Sequence, residues 1–146
     1  MIRRLDHAPV ELADIHARCF DHGWSVGVLS DLAAKPLHRL YVLDEDGQPA
    51  SFILLTVIAG EGEILTLATD PSQQGRGLAR RLLDHVIAEL RAESADSLFL
   101  EVAVDNTAAL RLYEATGFAR VGVRKAYYSR PAAAPVDGHI LRLALI

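Results

Sequence analysis

At 146 residues, 51% hydrophobic and 23% charged, the chain has the make-up of one soluble globular domain and the length to bury about two-thirds of its unfolded surface. Its net charge of −4 argues against non-specific nucleic-acid binding, which needs a basic face, while permitting a substrate with a basic tail. The single cysteine, Cys19, excludes an internal disulfide and any multi-cysteine zinc site.

The segment Met1–Asp6 lacks the apolar core of a signal peptide, and no apolar run approaches the roughly 18 residues of a membrane span. The expectation is a cytoplasmic protein with neither membrane nor nucleic acid as a partner. Residues 2–5 read as a short first strand. Pro9 suits the first position of a helix, with Val10, Ala13, Ala17 and Phe20 as its apolar stripe. His16 and Cys19 lie in this helix without a third partner nearby, so they read as structural rather than as base and nucleophile; a free cysteine most often behaves as a small hydrophobe. His22-Gly23-Trp24-Ser25 breaks the helix, and Ser25 caps a second one through Ala34, stopped by Lys35-Pro36. Leu40–Leu43 and Ala50–Ile58 read as strands joined by Asp44–Pro49, a hairpin turn signal.

The stretch from Glu63 to Arg91 organises the rest. Ile64 to Thr69 is short, apolar and suited to a buried strand, and Asp70-Pro71 stops it. A glycine-rich turn, Ser72 to Ala79, leads into a helix with Leu78, Leu82, Leu83, Val86, Ile87 and Leu90 at helical spacing. Strand, glycine turn and helix make a site for an anion, because the first helical turn carries unpaired N–H groups and the positive end of the dipole. The spacing fits neither the phosphate loop, which ends in Lys-Ser/Thr, nor the dinucleotide fingerprint.

After a polar connection from Ala92, Leu98–Ala103 is a strand, and strand–helix–strand in this order predicts a right-handed crossover with the two strands parallel. The glycine turn therefore lies at the carboxyl end of its strand, the usual ligand side of an open α/β sheet. Asp105-Asn106-Thr107 starts a short helix carrying Leu110 and Tyr113, closed by Gly117. Phe118–Val123 and His139–Ile146 read as the last two strands, with Ser129–Gly138 as a surface loop between them. The pattern predicts an α/β fold in a single domain, residues 1–146, with a mixed central sheet flanked by helices.

Three side chains can carry chemistry. Glu101 sits in mid-strand among Leu98, Leu100 and Val102; such a carboxylate either faces outward to water or acts as a general base. Its place on the strand parallel to the one before the glycine turn, shortly before Asn106, favours function. Tyr113 lies on an apolar helix face, where most tyrosines are simply core, yet a phenol with a reference pKa of about 10 can also donate a proton at neutral pH. Asn106 reads as a helix cap, with a ligand contact as an additional role.

The turn resembles motif A of the GNAT acetyltransferases, Gln/Arg-x-x-Gly-x-Gly/Ala, here Gln74, Gly77 and Ala79. The resemblance implies the GNAT fold and acetyl-coenzyme A (acetyl-CoA) as co-substrate. Its pyrophosphate would be cradled by Gly75, Arg76, Gly77, Leu78, Ala79 and Arg80, and its pantetheine and acetyl carbonyl held by Leu67, Ala68 and Thr69. Glu101–Asn106, Leu112-Tyr113-Glu114, Gly117-Phe118 and Tyr127-Tyr128 resemble one branch of that family, the RimI enzymes that acetylate the N-terminus of a small-subunit ribosomal protein. Trp24-Ser25 resembles the same branch's Pro-Trp-Ser.

This resemblance implies Glu101 as base, Tyr113 as acid and Asn106 as a contact to acetyl-CoA, with direct transfer to a protein N-terminus such as a ribosomal protein's N-terminal alanine. N–H groups near Leu67 and Thr69 would face the oxyanion. An α-amine, with a reference pKa of about 8 against about 10.4 for lysine, is the easier nucleophile for a weak base. The chain departs from the branch at Ala103, where many members have arginine, at Ala79, where many have glycine, at Ser129 in place of proline, and over Val136–His139. Two other readings stay open: acetylation of a small amine or a lysine side chain, and a non-catalytic acyl-CoA-binding module regulating a partner. The presence of both Glu101 and Tyr113 speaks against the module. The six histidines show no close ligand spacing, so no metal is expected. A monomer or weak dimer is the expected state.

Overall fold

The computed structural model describes residues 1–146. At its centre, Leu40, Tyr41, Val42 and Leu43 of β2 (His38–Glu45) and Phe52 to Leu55 of β3 (Gln48–Ile58) are buried on both faces of one sheet. An unbroken apolar run of this kind belongs to a strand covered on both sides. Asp46 and Gly47 make the turn between them, both at positive φ (52° and 77°), the backbone a tight two-residue hairpin demands.

The other elements are β1 (Ile2–Leu5), α1 (Val10–Cys19), α2 (Val26–Ala33), β4 (Glu61–Thr69), α3 (Leu78–Ala92), β5 (Ser97–Ala103), α4 (Thr107–Thr116), β6 (Ala119–Arg130) and β7 (Ala133–Ala144). The seven strands run in the order β1-β2-β3-β4-β5-β7-β6, with β4 and β5 parallel and every other pair antiparallel. No helix is long and apolar enough to cross a membrane.

Each face of the sheet has its own core. On one, α3 lays Leu82, Leu83, Val86 and Leu90 against Ile53, Leu55, Leu98 and Leu100. On the other, Leu12 and Ile15 of α1 and Leu29 of α2 pack on Leu40, Val42, Phe52 and Leu54. Each such side chain contributes on the order of 1.5–3 kcal/mol through its removal from water.

Three expectations need correction. The buried stripe of α1 is Leu12, Ile15 and His16, while Val10 is 59% exposed; helical spacing fixes a period, and the larger Leu12 and Ile15 set the phase. Pro9 is the N-cap of α1 rather than its first helical residue. The predicted loop Ser129–Gly138 is instead part of a long hairpin, β6 running to Arg130 and β7 starting at Ala133. Most of β6 is exposed, so it carries none of the apolar alternation that marks a strand. Pro135, which cannot donate to a ladder, falls where the β6–β7 register is irregular, between the pairs Tyr128–Val136 and Arg130–Ala133.

Candidate active site

β4 and β5 pair only from Glu61–Ser97 to Ile64–Leu100, although both strands continue. The cause is one extra residue in β4. Leu54 of β3 opposes Thr66 and Leu55 opposes Ile64, which leaves Leu65 without a partner in the ladder. Ile64 and Leu67 then pack on the α3 face, while Leu65 and Ala68 pack on the α1–α2 face. A bulge bends its strand and raises its local twist. Beyond it β4 leaves β5, and the edge of Leu65–Thr69 that faces β5 has no strand to bond.

The gap opens into a cleft of about 920 Å³. Leu65, Thr66 and Leu67 of β4, Glu101 to Ala103 of β5, and Asn106, Ala109 and Tyr113 at α4 line it. Thr66 Oγ1 and Glu101 Oε1 are buried there without a hydrogen-bond partner. Arg124 Nε comes within 3.2 Å of the same Glu101 oxygen, as an ion pair without hydrogen-bonding alignment. Tyr113 is 6% exposed and meets Phe118 edge-on at 5.5 Å. Burial pushes its phenol above the ordinary tyrosine range, which keeps it protonated and a donor. Asn106 caps α4, its Oδ1 accepting from Ala109 N–H at 3.3 Å.

The opposite wall comes from α1 and the segment after it. Trp24 N–H donates to His16 Nδ1 at 3.0 Å, and the two rings stack 4.9 Å apart. A bonded, bare Nδ1 puts the single proton of a neutral imidazole on Nε2, and burial lowers the His16 pKa. Cys19 Sγ donates to Thr69 C=O at 3.2 Å, and burial pushes its thiol up, away from thiolate chemistry. His16 and Cys19 thus each serve a different backbone group, as structural side chains do. The end of β6 supplies Tyr127, Tyr128, Ser129 and Arg130 to the cleft. Arg130 bonds both oxygens of Asp105 at 2.7 Å, and this pairing holds the Asp105 carboxyl below its usual range.

The glycine turn stands beside the cleft. Gly75 and Gly77 have φ of +80° and +76°, and the space a Cβ would fill at either is open. Gly77 is the N-cap of α3 and offers no side chain to the first turn, whose N–H groups are left for a ligand. Ala68 and Leu78 are buried, so only their backbone can meet one. The profile of the acetyltransferase (GNAT) family matches residues 10–118.

The chain belongs to the GNAT acetyltransferase family.

A ribosomal protein bS18-alanine N-acetyltransferase of Haemophilus ducreyi is 34% identical over 123 residues, 84% of this chain and 83% of that protein. The enzyme of the same name from Escherichia coli K12 is 39% identical over 88 residues, 60% of each chain, so the match spans less than two-thirds of its length. The crystal structure of the Escherichia coli ribosomal-protein-S18-alanine N-acetyltransferase superposes with a TM-score of 0.88 at 29% identity, covering 99% of this chain and 94% of that one.

Within this GNAT fold, the cleft gathers Glu101, Tyr113, Asn106 and Leu67. Ala68 and Thr69 end β4, and Gly75 to Arg80 form the turn outside the cleft. Thr66, Arg124 and the Arg130–Asp105 pair escape sequence reading, since each owes its place to a residue distant in the chain. The one available signal for β6 is Tyr127-Tyr128, two aromatic residues together on a strand otherwise rich in exposed polar side chains.

Proposed function

We propose that the chain transfers the acetyl group of acetyl-CoA to the α-amine of a protein N-terminus, with the N-terminal alanine of a small-subunit ribosomal protein as its substrate. The observation that carries this reading is a base candidate, Glu101, and an acid candidate, Tyr113, bordering one cleft beside an unpaired strand edge. The relatives named for that reaction support the choice of acceptor.

The chain's donor set fits acetyl-CoA. Backbone groups of Leu67 and Thr69 on the free edge of β4 suit the pantetheine amides, with Ala68, whose carbonyl accepts from Ser51, between them, and the Thr66 hydroxyl is an unpaired polar group within the same cleft. Gly75, Arg76, Gly77, Leu78, Ala79 and Arg80 present a turn and a helix N-terminus to the pyrophosphate. Asn106, at the head of α4, supplies a further polar contact. Acetyl-CoA brings an acetyl group activated as a thioester.

Glu101, through a water molecule, takes the proton of the acceptor ammonium. N–H groups near Leu67 and Thr69 stabilise the negative charge that develops on the acetyl oxygen. Tyr113, kept protonated by burial, gives its proton to the departing sulfur. A base of carboxylate strength works more readily on an α-ammonium, with a pKa of about 8, than on lysine at about 10.4.

The test is thiol release from acetyl-CoA with three kinds of acceptor: a basic peptide with a free N-terminal alanine, its N-blocked copy with an internal lysine, and small polyamines. Turnover is expected on the free N-terminus alone; turnover confined to the blocked peptide or the polyamines overturns the acceptor. Glu101→Gln is expected to lower turnover by about 100- to 10,000-fold while acetyl-CoA binding is kept. Unchanged turnover removes Glu101 from the mechanism.

A further inference from the structure

The corner around Glu101 is built for a cation and already holds one. Oε1 is buried, receives no hydrogen bond, and has Arg124 Nε at 3.2 Å. The guanidinium rests at the same time 4.9 Å from the centre of the Tyr127 ring. Tyr128 closes the corner. Gly138 lies so near that an added Cβ would stand 2.9 Å from the Tyr128 ring and 3.1 Å from Glu101 Oε1. A carboxylate beside an aromatic face is the chemistry that recognises an ammonium.

The two partners are unequal. The Glu101 side chain is 24% exposed and sits in an inner strand, while that of Arg124 is 53% exposed on the edge strand β6. Immediately beyond Arg124 the β6–β7 ladder breaks: between the pairs Arg124–Gly138 and Tyr128–Val136, three residues of β6 stand opposite the single Asp137 of β7. Ala126 within the break has a φ of +50°, and its N–H is taken by the Asp137 side chain at 2.8 Å. The wall of the corner is therefore fixed, and its cation enters from solvent on a long side chain.

We propose that Arg124 is a built-in competitor for the acceptor: it occupies the ammonium subsite formed by Glu101, Tyr127 and Tyr128, and the substrate's α-ammonium displaces it. The inference rests on the reading of Glu101 as the base, since an amine that gives its proton to Glu101, even through one water, must approach the carboxylate that Arg124 holds. Two cations beside one carboxylate repel each other, so binding of the amine requires Arg124 to withdraw along the Tyr127 ring. Arginine stays charged throughout the range in which an α-amine titrates, so Arg124 keeps its hold on the carboxylate whether the amine is charged or neutral. The acetylated product is an uncharged amide, and Arg124 reclaims the carboxylate as it leaves. Arg124 thereby sets the affinity for the amine and assists release of the amide.

Equilibrium binding isolates this effect from catalysis. A lysine-free peptide with an N-terminal alanine, and its N-acetylated copy, are titrated by calorimetry into protein saturated with coenzyme A. Arg124→Met removes the guanidinium and keeps an apolar stem over Tyr127; Arg124→Gln is the second variant should the first fold poorly. The free-amine peptide is expected to bind about threefold more tightly to either variant than to the wild type, the scale of an exposed ion pair, with the acetylated copy unchanged. Unchanged or weaker binding of the free amine, or equal tightening of both peptides, overturns the proposal. Wild-type protein that binds both peptides equally overturns the reading of Glu101 itself, and the proposal with it.

Discussion

The β2–β3 and β6–β7 hairpins are both long antiparallel ribbons of the same sheet, yet they treat their side chains in opposite ways. In β2–β3 the central residues of both strands are buried on both faces, and the turn is a tight Asp46-Gly47 pair. In β6–β7 most of β6 is exposed, and its ladder is interrupted in several places. Its polar and aromatic side chains instead reach sideways, Arg124 to Glu101 and Arg130 to Asp105. The β2–β3 hairpin is core in both of its strands, whereas in the other hairpin β7 still buries Leu141 and Leu143 and β6 is committed to a wall of the cleft. Stability and recognition are thus separated along the chain, and substitutions can address either one.

The largest effect that separates the two is a truncation in each. Phe52→Ala, at 0% exposure, is expected to cost about 3–5 kcal/mol and to lower the melting temperature by roughly 2–4 °C for each of them. Val123→Ala, 42% exposed on β6, should stay within about 0.5 kcal/mol. Equal losses in thermal unfolding would erase the division between the hairpins.

A matched pair of glycines gives a smaller and sharper contrast. Gly47 and Gly77 share nearly the same φ, +77° and +76°, and at both an added Cβ meets nothing within 4 Å. Alanine at either should cost about 1 kcal/mol, the strain of a side chain in left-handed backbone. Only Gly77→Ala should weaken acetyl-CoA, because only that Cβ projects beside the first turn of α3. Equal acetyl-CoA affinity in the two variants would remove the glycine turn from the binding site.

The smallest effect concerns pH. Burial lowers the pKa of His16 in the folded chain, whereas the unfolded chain takes up its proton at about 6.5. Below that pH protons therefore bind the unfolded state preferentially, and the stability present above about pH 6.5 is lost as pH falls. Trp24, the single tryptophan, stacks on His16 and accounts for all tryptophan emission. Thermal unfolding followed by that emission should shift down between pH 7 and 5.5 in the wild type, and less in His16→Gln. An equal shift in both proteins would assign the pH dependence elsewhere.

What the sequence discloses follows the same division. β4, α3 and β5 are legible because buried runs and helical spacing leave a pattern, and so are the Asn106 and Gly117 caps, whose residue types match their backbone needs. The extent of β6 and β7 is not legible, because a strand with little buried has no alternation to show. The phase of α1 fails for a different reason, two equally periodic stripes differing in the bulk of Leu12 and Ile15. The candidates Glu101, Tyr113 and Asn106 stand out by residue type and by resemblance. Arg124 carries no such mark, since an arginine on an exposed strand is ordinary until Glu101 is found beside it. Thr66 is equally silent, one more β-branched residue in a strand.

The unpaired Leu65 has a consequence for how this cleft is inherited. It behaves as a shift of reading frame within β4, with Ile64 and Leu67 answering to one helix layer and Leu65 and Ala68 to the other. Such a frame is indifferent to which side chain stands at 65 and sensitive to the number of residues before Thr66. Substitution at that position leaves the count, and with it the gap beside β5, intact. Loss of that single residue returns β4 to strict alternation, with Thr66 to Thr69 keeping their partners on β3 and their faces, and leaves β4 straight alongside β5. The sheet tolerates that change far better than the cleft does, so a chain altered only by that deletion would keep the architecture and lose the opening between β4 and β5.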